Sequence, residues 1–364
     1  MIRRPDEAAT AAIRVALGRG AAILAVAILV AGVAGPAGAA PPAGGYWVGQ
    51  LRLPAAWALS QGAGVTVGVL DTGVNGGLPA LAGAVLPGRS FPDLGNGVQD
   101  ARGHGTAVAL LIAGRPGSGG VAPRATILPA IAAAGGASAD EAIRWLVDRH
   151  VGVINLSAGR PGTGGDRATT ELDGALAYAA AHDVVVVAAA GNSSQDRGVV
   201  SPANRPAVIA VSAVDSTGAF RPDVSVSGPE VALAAPGVGM TAVARARVAG
   251  QPLSADGTSW SAAVVSGVVA LVRARHPGLN AVQVARLIQA TARPAGPPGR
   301  DPEYGFGVVD PVAALSAPPP SSPAAASAPA PAPRAAVLTA VSVGAALLLV
   351  PVYSLVRRRR SHRT

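Results

Sequence analysis

The chain of 364 residues is long enough for one large domain or two average ones, and half of its residues are hydrophobic although only 3% are aromatic. It contains no cysteine, which excludes both disulfides and thiolate metal sites. The net charge of +9 lies mostly at the two ends of the chain, which disfavours a nucleic-acid-binding domain, because such a domain concentrates basic residues on its folded surface.

Residues 1–39 are typical of a secretory signal peptide. A basic stretch that ends at Arg19 precedes the apolar run AAILAVAILVAGVAG, and small residues up to Ala39 provide a cleavage site. An uncleaved anchor helix is the alternative. In both cases we expect the chain that follows to be exported.

Residues 64–315 have the pattern of an α/β domain. Short apolar runs such as GVTVGVLD, ATILPAIA, VGVINLS, DVVVVAAAG and AVIAVSAV alternate with helical stretches such as ADEAIRWLVDRH. Apolar strands separated by helices favour a parallel sheet that is buried on both faces. Because crossovers between parallel strands are right-handed, we predict a doubly wound, mostly parallel sheet with helices on both faces.

Three polar residues in this region are candidates for chemistry at the carboxyl edge of the sheet, where such folds bind ligands. Asp71 ends an apolar strand, although Asp is also a common turn residue there. His104 lies between two glycines ahead of an apolar helix, although a lone His is more often structural. Ser259 starts a long apolar helix, where it is either an N-cap or a nucleophile beside the free amides of the helix N-terminus.

The end of the chain has the pattern of a membrane anchor. Residues 316–334 form a linker rich in Pro and Ala, for which we expect extended polyproline segments. Residues 335–356 carry no charge and are numerous enough to form one transmembrane helix. The basic tail, residues 357–364, indicates that the C-terminus is cytoplasmic and that the domain before the helix is extracellular.

The segments VLDTGV, GHGTAVA and GTSWSAAVVSG, in this order, resemble the motifs of the subtilisin-like serine proteases. VVVVAAAGN resembles the segment that carries the family's oxyanion-hole Asn, and INLSAG resembles its substrate-binding edge. The resemblance implies a serine endopeptidase without a cofactor, in which Asp71, His104 and Ser259 form the catalytic triad and Asn192 contributes to the oxyanion hole. The residues that it places against a polypeptide substrate are Ser157, Ala158 and Gly159.

The sequence departs from the family pattern at two positions. Ala263 stands where the family usually has Pro, and Leu110 stands where it usually has Gly. These departures keep open a peptide-binding relative that does not cleave. We assign no metal site, because solvated turns explain the loop acids Asp93, Asp100 and Asp196 as well as calcium does.

Residues 40–63 leave no room for the long inhibitory propeptide of many subtilases. The stretch YWVGQLRLPAAWALSQGAG resembles instead the N-terminal extension of mycosins, membrane-anchored subtilases that are associated with type VII secretion. This resemblance implies a membrane-held protease with a type VII secretion complex as partner. It also leaves open a structural part of such a complex in which catalysis is dispensable.

Overall fold

A computed structural model describes residues 45–91, 99–132, 138–157, 167–240 and 255–320. The strands are β1 (Thr66–Asp71), β2 (Arg89–Phe91), β3 (Thr126–Ala132), β4 (Val153–Leu156), β5 (Val185–Ala189), β6 (Val208–Val214) and β7 (Val231–Pro236). The helices are α1 (Tyr46–Gln50), α2 (Leu53–Leu59), α3 (His104–Ala113), α4 (Ala139–Val147), α5 (Arg167–Ala181), α6 (Thr258–Arg275), α7 (Ala281–Ala290) and α8 (Pro311–Ser316), and a short 3-10 helix covers Pro79–Leu81.

The seven strands form one sheet in the order β2-β3-β1-β4-β5-β6-β7, and all neighbouring strands are parallel. The doubly wound parallel sheet predicted from the sequence is therefore confirmed. The apolar runs coincide with β1, β3, β4, β5 and β6. The two edge strands carry weaker signals, because β2 has three residues and begins with an exposed Arg89, while β7 is rich in Ala.

Helices cover both faces of the sheet, as the unbroken apolar strands require. Side chains of a strand point alternately to the two faces, so Val67 and Val69 of β1 pack on one side, with α3, α6 and α7. Leu70 faces the other side, where α4 and α5 complete a second core.

The chain reverses its winding direction between β1 and β4. The connections after β1 lead to β2 and β3 on one side, whereas β4 begins the half of the sheet on the other side. At this switch point the crossovers leave a crevice outside the carboxyl ends of the two strands. Asp71 is the last residue of β1, and Ser157 directly follows β4, so both lie at this crevice.

Helix α6 is buried over most of its length, from Thr258 to Val272. Its sequence consists mainly of Ala, Val, Ser and Gly, which allows close packing against its neighbours. A Cβ atom at Gly267 would lie only 2.6 Å from Cβ of Val121. The small residues therefore let one rigid helix pass through the core and present its first turn at the crevice.

The predicted N-terminal extension, from residue 45 onward, packs onto this core. Trp47 is 2% exposed, and its indole N–H donates to the carbonyl of Gly119 at 2.8 Å. Trp57 donates in the same way to Val121 at 2.9 Å. Since both indoles combine apolar burial with a hydrogen bond, α1 and α2 are held as part of the domain.

Within the described ranges, no helix has both the length and the apolar character needed to cross a membrane. The predicted signal peptide (1–39), transmembrane helix (335–356) and basic tail (357–364) lie outside these ranges, as does most of the predicted linker.

Candidate active site

The carboxylate of Asp71 and the imidazole of His104 meet at the crevice. Asp71 is the last residue of β1, and His104 is the first residue of α3. Asp71 Oδ1 accepts a hydrogen bond from His104 Nδ1 at 2.8 Å. The Asp71 side chain is 2% exposed and that of His104 is 28% exposed. Gly105 permits this approach, because a Cβ atom there would lie 2.2 Å from the carbonyl oxygen of Gly73. The pair thus has a buried acid and an imidazole with one accessible edge.

The pKa of His104 lies above its usual 6.5. Burial is the largest single influence and disfavours the charged imidazolium, but the charge and hydrogen bond of Asp71 together outweigh it, and Asp100 contributes in the same direction. The site therefore stabilises a proton that arrives on His104.

Ser259 lies in the first turn of α6, and its hydroxyl donates to the carbonyl of Ser157 at 2.9 Å. In the described part of the chain the hydroxyl makes no hydrogen bond with His104. The next residue, Trp260, places its ring 5.0 Å from the imidazole ring, centroid to centroid. The start of α6 therefore packs beside His104, while the hydroxyl of Ser259 is turned towards the end of β4.

A chain of buried polar side chains supports this arrangement. Ser266 donates to Asn155 Oδ1 at 2.9 Å, Asn155 Nδ2 donates to Ser157 Oγ at 2.8 Å, and that hydroxyl donates to the carbonyl of Ser259 at 3.2 Å. Asn155 and Ser266 were not recognised as site residues from the sequence. A polar residue inside the apolar run VGVINLS was the available signal, because a buried amide requires partners.

Asn192, which the resemblance assigns to the oxyanion hole, lies close to the start of α6. Its Oδ1 accepts from the backbone N–H of Thr258 at 3.0 Å and from the Thr258 hydroxyl at 3.1 Å. This orientation leaves the Nδ2 group to donate elsewhere. The backbone N–H of Asn192 donates to Asp196 Oδ2 at 2.9 Å, which fixes the loop.

The structure describes one of the three residues predicted to bind substrate and both positions that depart from the family pattern. Ser157 is buried at the crevice, whereas Ala158 and Gly159 lie outside the described residues. Ala263 is fully buried inside α6, and Leu110 packs against the core from α3.

Among the loop acids, Asp93 lies outside the described residues, and Asp196 accepts a hydrogen bond from the Asn192 loop. Asp100 is 8% exposed and accepts hydrogen bonds from the protein with both oxygens. In the described ranges, no group of three or more His, Asp or Glu residues is placed to hold a metal ion. The sequence predicted a loop position for Asp100 but not its burial beside His104.

The sequence and the fold of this chain are similar to those of known proteins. The subtilase family model matches residues 62–307. Mycosin-1 of Mycolicibacterium smegmatis is 36% identical over 336 residues, which cover 75% of this chain and 73% of that protein. A crystal structure of MycP1 with its N-terminal propeptide removed superposes with a TM-score of 0.67 at 35% identity, covering 76% of this chain and 98% of that one.

A chain in the structure of an intact ESX-5 inner membrane complex superposes with a TM-score of 0.68 at 29% identity, covering 86% of this chain and 87% of that one. The fold and the family match agree. The chain belongs to the subtilase family and is a serine endopeptidase related to the mycosins.

Proposed function

We propose that Asp71, His104 and Ser259 are the catalytic triad of this endopeptidase. The observation that carries the proposal is the buried Asp71–His104 pair, 2.8 Å between Oδ1 and Nδ1, beside the first turn of α6. A serine becomes a nucleophile when an adjacent base takes its proton and a third group orients that base. The crevice contains one candidate for each of these roles.

The reaction begins with a rotation of the Ser259 side chain. The hydroxyl leaves the carbonyl of Ser157 and turns towards Nε2 of His104 by a change of the side-chain rotamer. His104 accepts the proton as Ser259 attacks the substrate carbonyl, and later donates it to the leaving amine. Asp71 holds the imidazole with Nδ1 protonated and stabilises the imidazolium ion that forms.

The negative charge that develops on the substrate oxygen requires donors that are already in place. We assign this role to the Nδ2 group of Asn192 and to the backbone N–H of Ser259. The Asn192 side chain is fixed through Oδ1 by Thr258, and the N-terminus of α6 adds its free amides and the positive end of the helix dipole.

Peptide hydrolysis by two serine variants of the full-length protein tests the triad. Ser259→Ala removes the proposed nucleophile. Ser261→Ala is the matched control, because Ser261 lies in the same turn and its hydroxyl donates to the carbonyl of Ala235. We expect S259A to lose at least about 10³-fold in kcat and S261A to retain kcat when folded. Wild-type turnover by S259A would refute the assignment.

We also propose that the enzyme is exported and held at the membrane by residues 335–356, with the protease domain extracellular and residues 357–364 in the cytoplasm. The charge distribution of the sequence supports this orientation. Added external protease should remove the domain from intact cells and leave a C-terminal fragment in the membrane. A domain that is protected until the cells are lysed would contradict the orientation.

The likeness to a chain of the ESX-5 inner membrane complex supports association with a type VII secretion complex. It also favours a second candidate function, a structural part of such a complex with dispensable catalysis. Complementation of a deletion strain with S259A separates the two. Restored secretion would assign the essential role to the scaffold, whereas failure of a stably expressed S259A would assign it to proteolysis.

A further inference from the structure

Asp100 joins the two segments that carry Asp71 and His104. Its Oδ1 accepts from the Thr72 hydroxyl at 2.8 Å and from the backbone N–H groups of Arg102 and Gly103 at 3.1 and 2.7 Å. Its Oδ2 accepts from the backbone N–H and the hydroxyl of Thr106 at 2.8 and 2.7 Å. The buried carboxylate of Asp100 therefore connects Thr72, which directly follows β1, to the first turn of α3.

Thr72 extends this connection to the catalytic pair itself. Its backbone N–H donates to Asp71 Oδ1 at 2.7 Å, and its hydroxyl accepts from the backbone N–H of Gly105 at 3.0 Å. The same oxygen, Asp71 Oδ1, also accepts the hydrogen bond from His104 Nδ1. A shift of Asp100 would therefore move both members of the pair.

The charge of Asp100 has a second consequence, because His104 is the first residue of α3. A helix N-terminus carries a positive partial charge, which disfavours an imidazolium ion. The N-cap residue is Gly103, which has no side chain to cap the helix. Asp100 supplies the missing acceptor and places a full negative charge at the end of the helix.

We propose that Asp100 is a positioning residue for catalysis, whose carboxylate locks the Asp71 turn to the first turn of α3 and whose charge offsets the positive end of that helix where His104 must accept a proton. The inference rests on the proposed role of His104. It assigns to Asp100 more than a cap, because a cap would contribute only to the stability of α3.

The charged groups that face the imidazole are few in the described residues. Asp71 approaches from the end of β1 and Asp100 from the loop ahead of α3, and both raise the pKa of His104. From α6 the imidazole meets the uncharged ring of Trp260. Removal of the Asp100 charge should therefore lower the pKa of His104 while the Asp71 hydrogen bond remains.

The test compares four variants of the full-length protein by kcat, KM, the pH profile of kcat/KM and thermal unfolding. Asp100→Asn removes the charge with little change of shape. Thr72→Val breaks the link between Asp100 and Gly105 but keeps both charges. Asp310→Asn is the matched control, because Asp310 caps α8 through the N–H of Ala313. His104→Ala tests the proposed function alone.

For D100N we expect kcat to fall about tenfold or more and KM to stay within about twofold. The acid limb of its kcat/KM profile should move to lower pH by about half a unit or more, because the pKa of His104 falls. For T72V we expect a lower kcat with the acid limb in place. D310N should lower only the unfolding temperature.

Wild-type kcat in D100N, or an acid limb that does not move, would overturn the inference. If D100N does not fold, T72V decides, and a wild-type kcat in T72V would overturn the positioning role. Full activity of H104A would instead refute the proposed function. The two failures are therefore distinguishable.

Discussion

At the scale of single residues, the Asp71–His104 pair predicts the pH dependence of the enzyme. In the proposed triad, His104 must be neutral to accept the proton of Ser259. The pKa of His104 lies above its usual 6.5 because the charge and hydrogen bond of Asp71 outweigh the effect of burial. Activity is therefore present above the raised pKa and is lost as the pH falls through it. The acid limb of kcat/KM, which reports the free enzyme, should have its midpoint above 6.5, and a midpoint below that value would contradict the proposed pair.

Asn192 is the second residue whose effect can be predicted. Asn192→Ala removes the proposed donor to the oxyanion, so we expect kcat to fall by about 10²–10³-fold with little change in KM. Asn280→Ala is the control, because Asn280 caps α7 through Gln283 and should change stability alone. An N192A enzyme with the kcat of N280A would exclude Asn192 from the oxyanion hole.

Some of the residues at the candidate site could be predicted from the sequence, and others could not. Asp71, His104 and Ser259 were candidates because each ends an apolar strand or opens an apolar helix, and Asn192 was added by the resemblance to the subtilisin-like proteases. Asp100 was not recognised, since nothing in the local sequence tells a solvated turn from a carboxylate buried against Thr72 and Thr106. The contact with Thr72 joins positions that are 28 residues apart in the sequence and exists only after the sheet has formed.

At the scale of elements, the site depends on the exact seating of α6. Gly267→Ala would place a Cβ atom 2.6 Å from Cβ of Val121, and overpacking of this kind costs about 1–3 kcal/mol. Gly49→Ala is the matched control, because Gly49 is also helical and a Cβ atom added there would enter open space. We expect G267A to unfold at lower denaturant concentration and G49A to be unchanged or more stable, and equal midpoints would contradict the packing.

Elements also differ in how well the sequence predicts them. The strands at the centre of the sheet are continuous apolar runs, because both of their faces are covered, and their pattern was unambiguous. The edge strand β2 could not be recognised in the same way, since Arg89 is exposed and only Phe91 is buried. The switch point between β1 and β4 depends on the order of the strands in the sheet. The alternation of strands and helices along the chain does not specify that order.

At the scale of the whole molecule, the N-terminal extension is a structural part of the protease domain. Trp47 packs in the same core as α6 and donates to Gly119. Trp47→Ala should therefore destabilise the protein by about 3–5 kcal/mol, while the folded fraction keeps its kcat because no step of the proposed reaction uses Trp47. Denaturant unfolding, with Trp47→Phe as the milder control, measures the first expectation. A W47A protein as stable as wild type would show that the extension only rests on the surface.

The central claim is that Ser259, Asp71 and His104 work as one catalytic unit at the crevice between β1 and β4. The most direct measurement is labelling of the purified full-length protein with a fluorophosphonate probe, followed by peptide mapping. We expect one modified residue, Ser259, and loss of labelling in His104→Ala. A folded wild-type protein that is not labelled, or that is labelled at another serine, would contradict it.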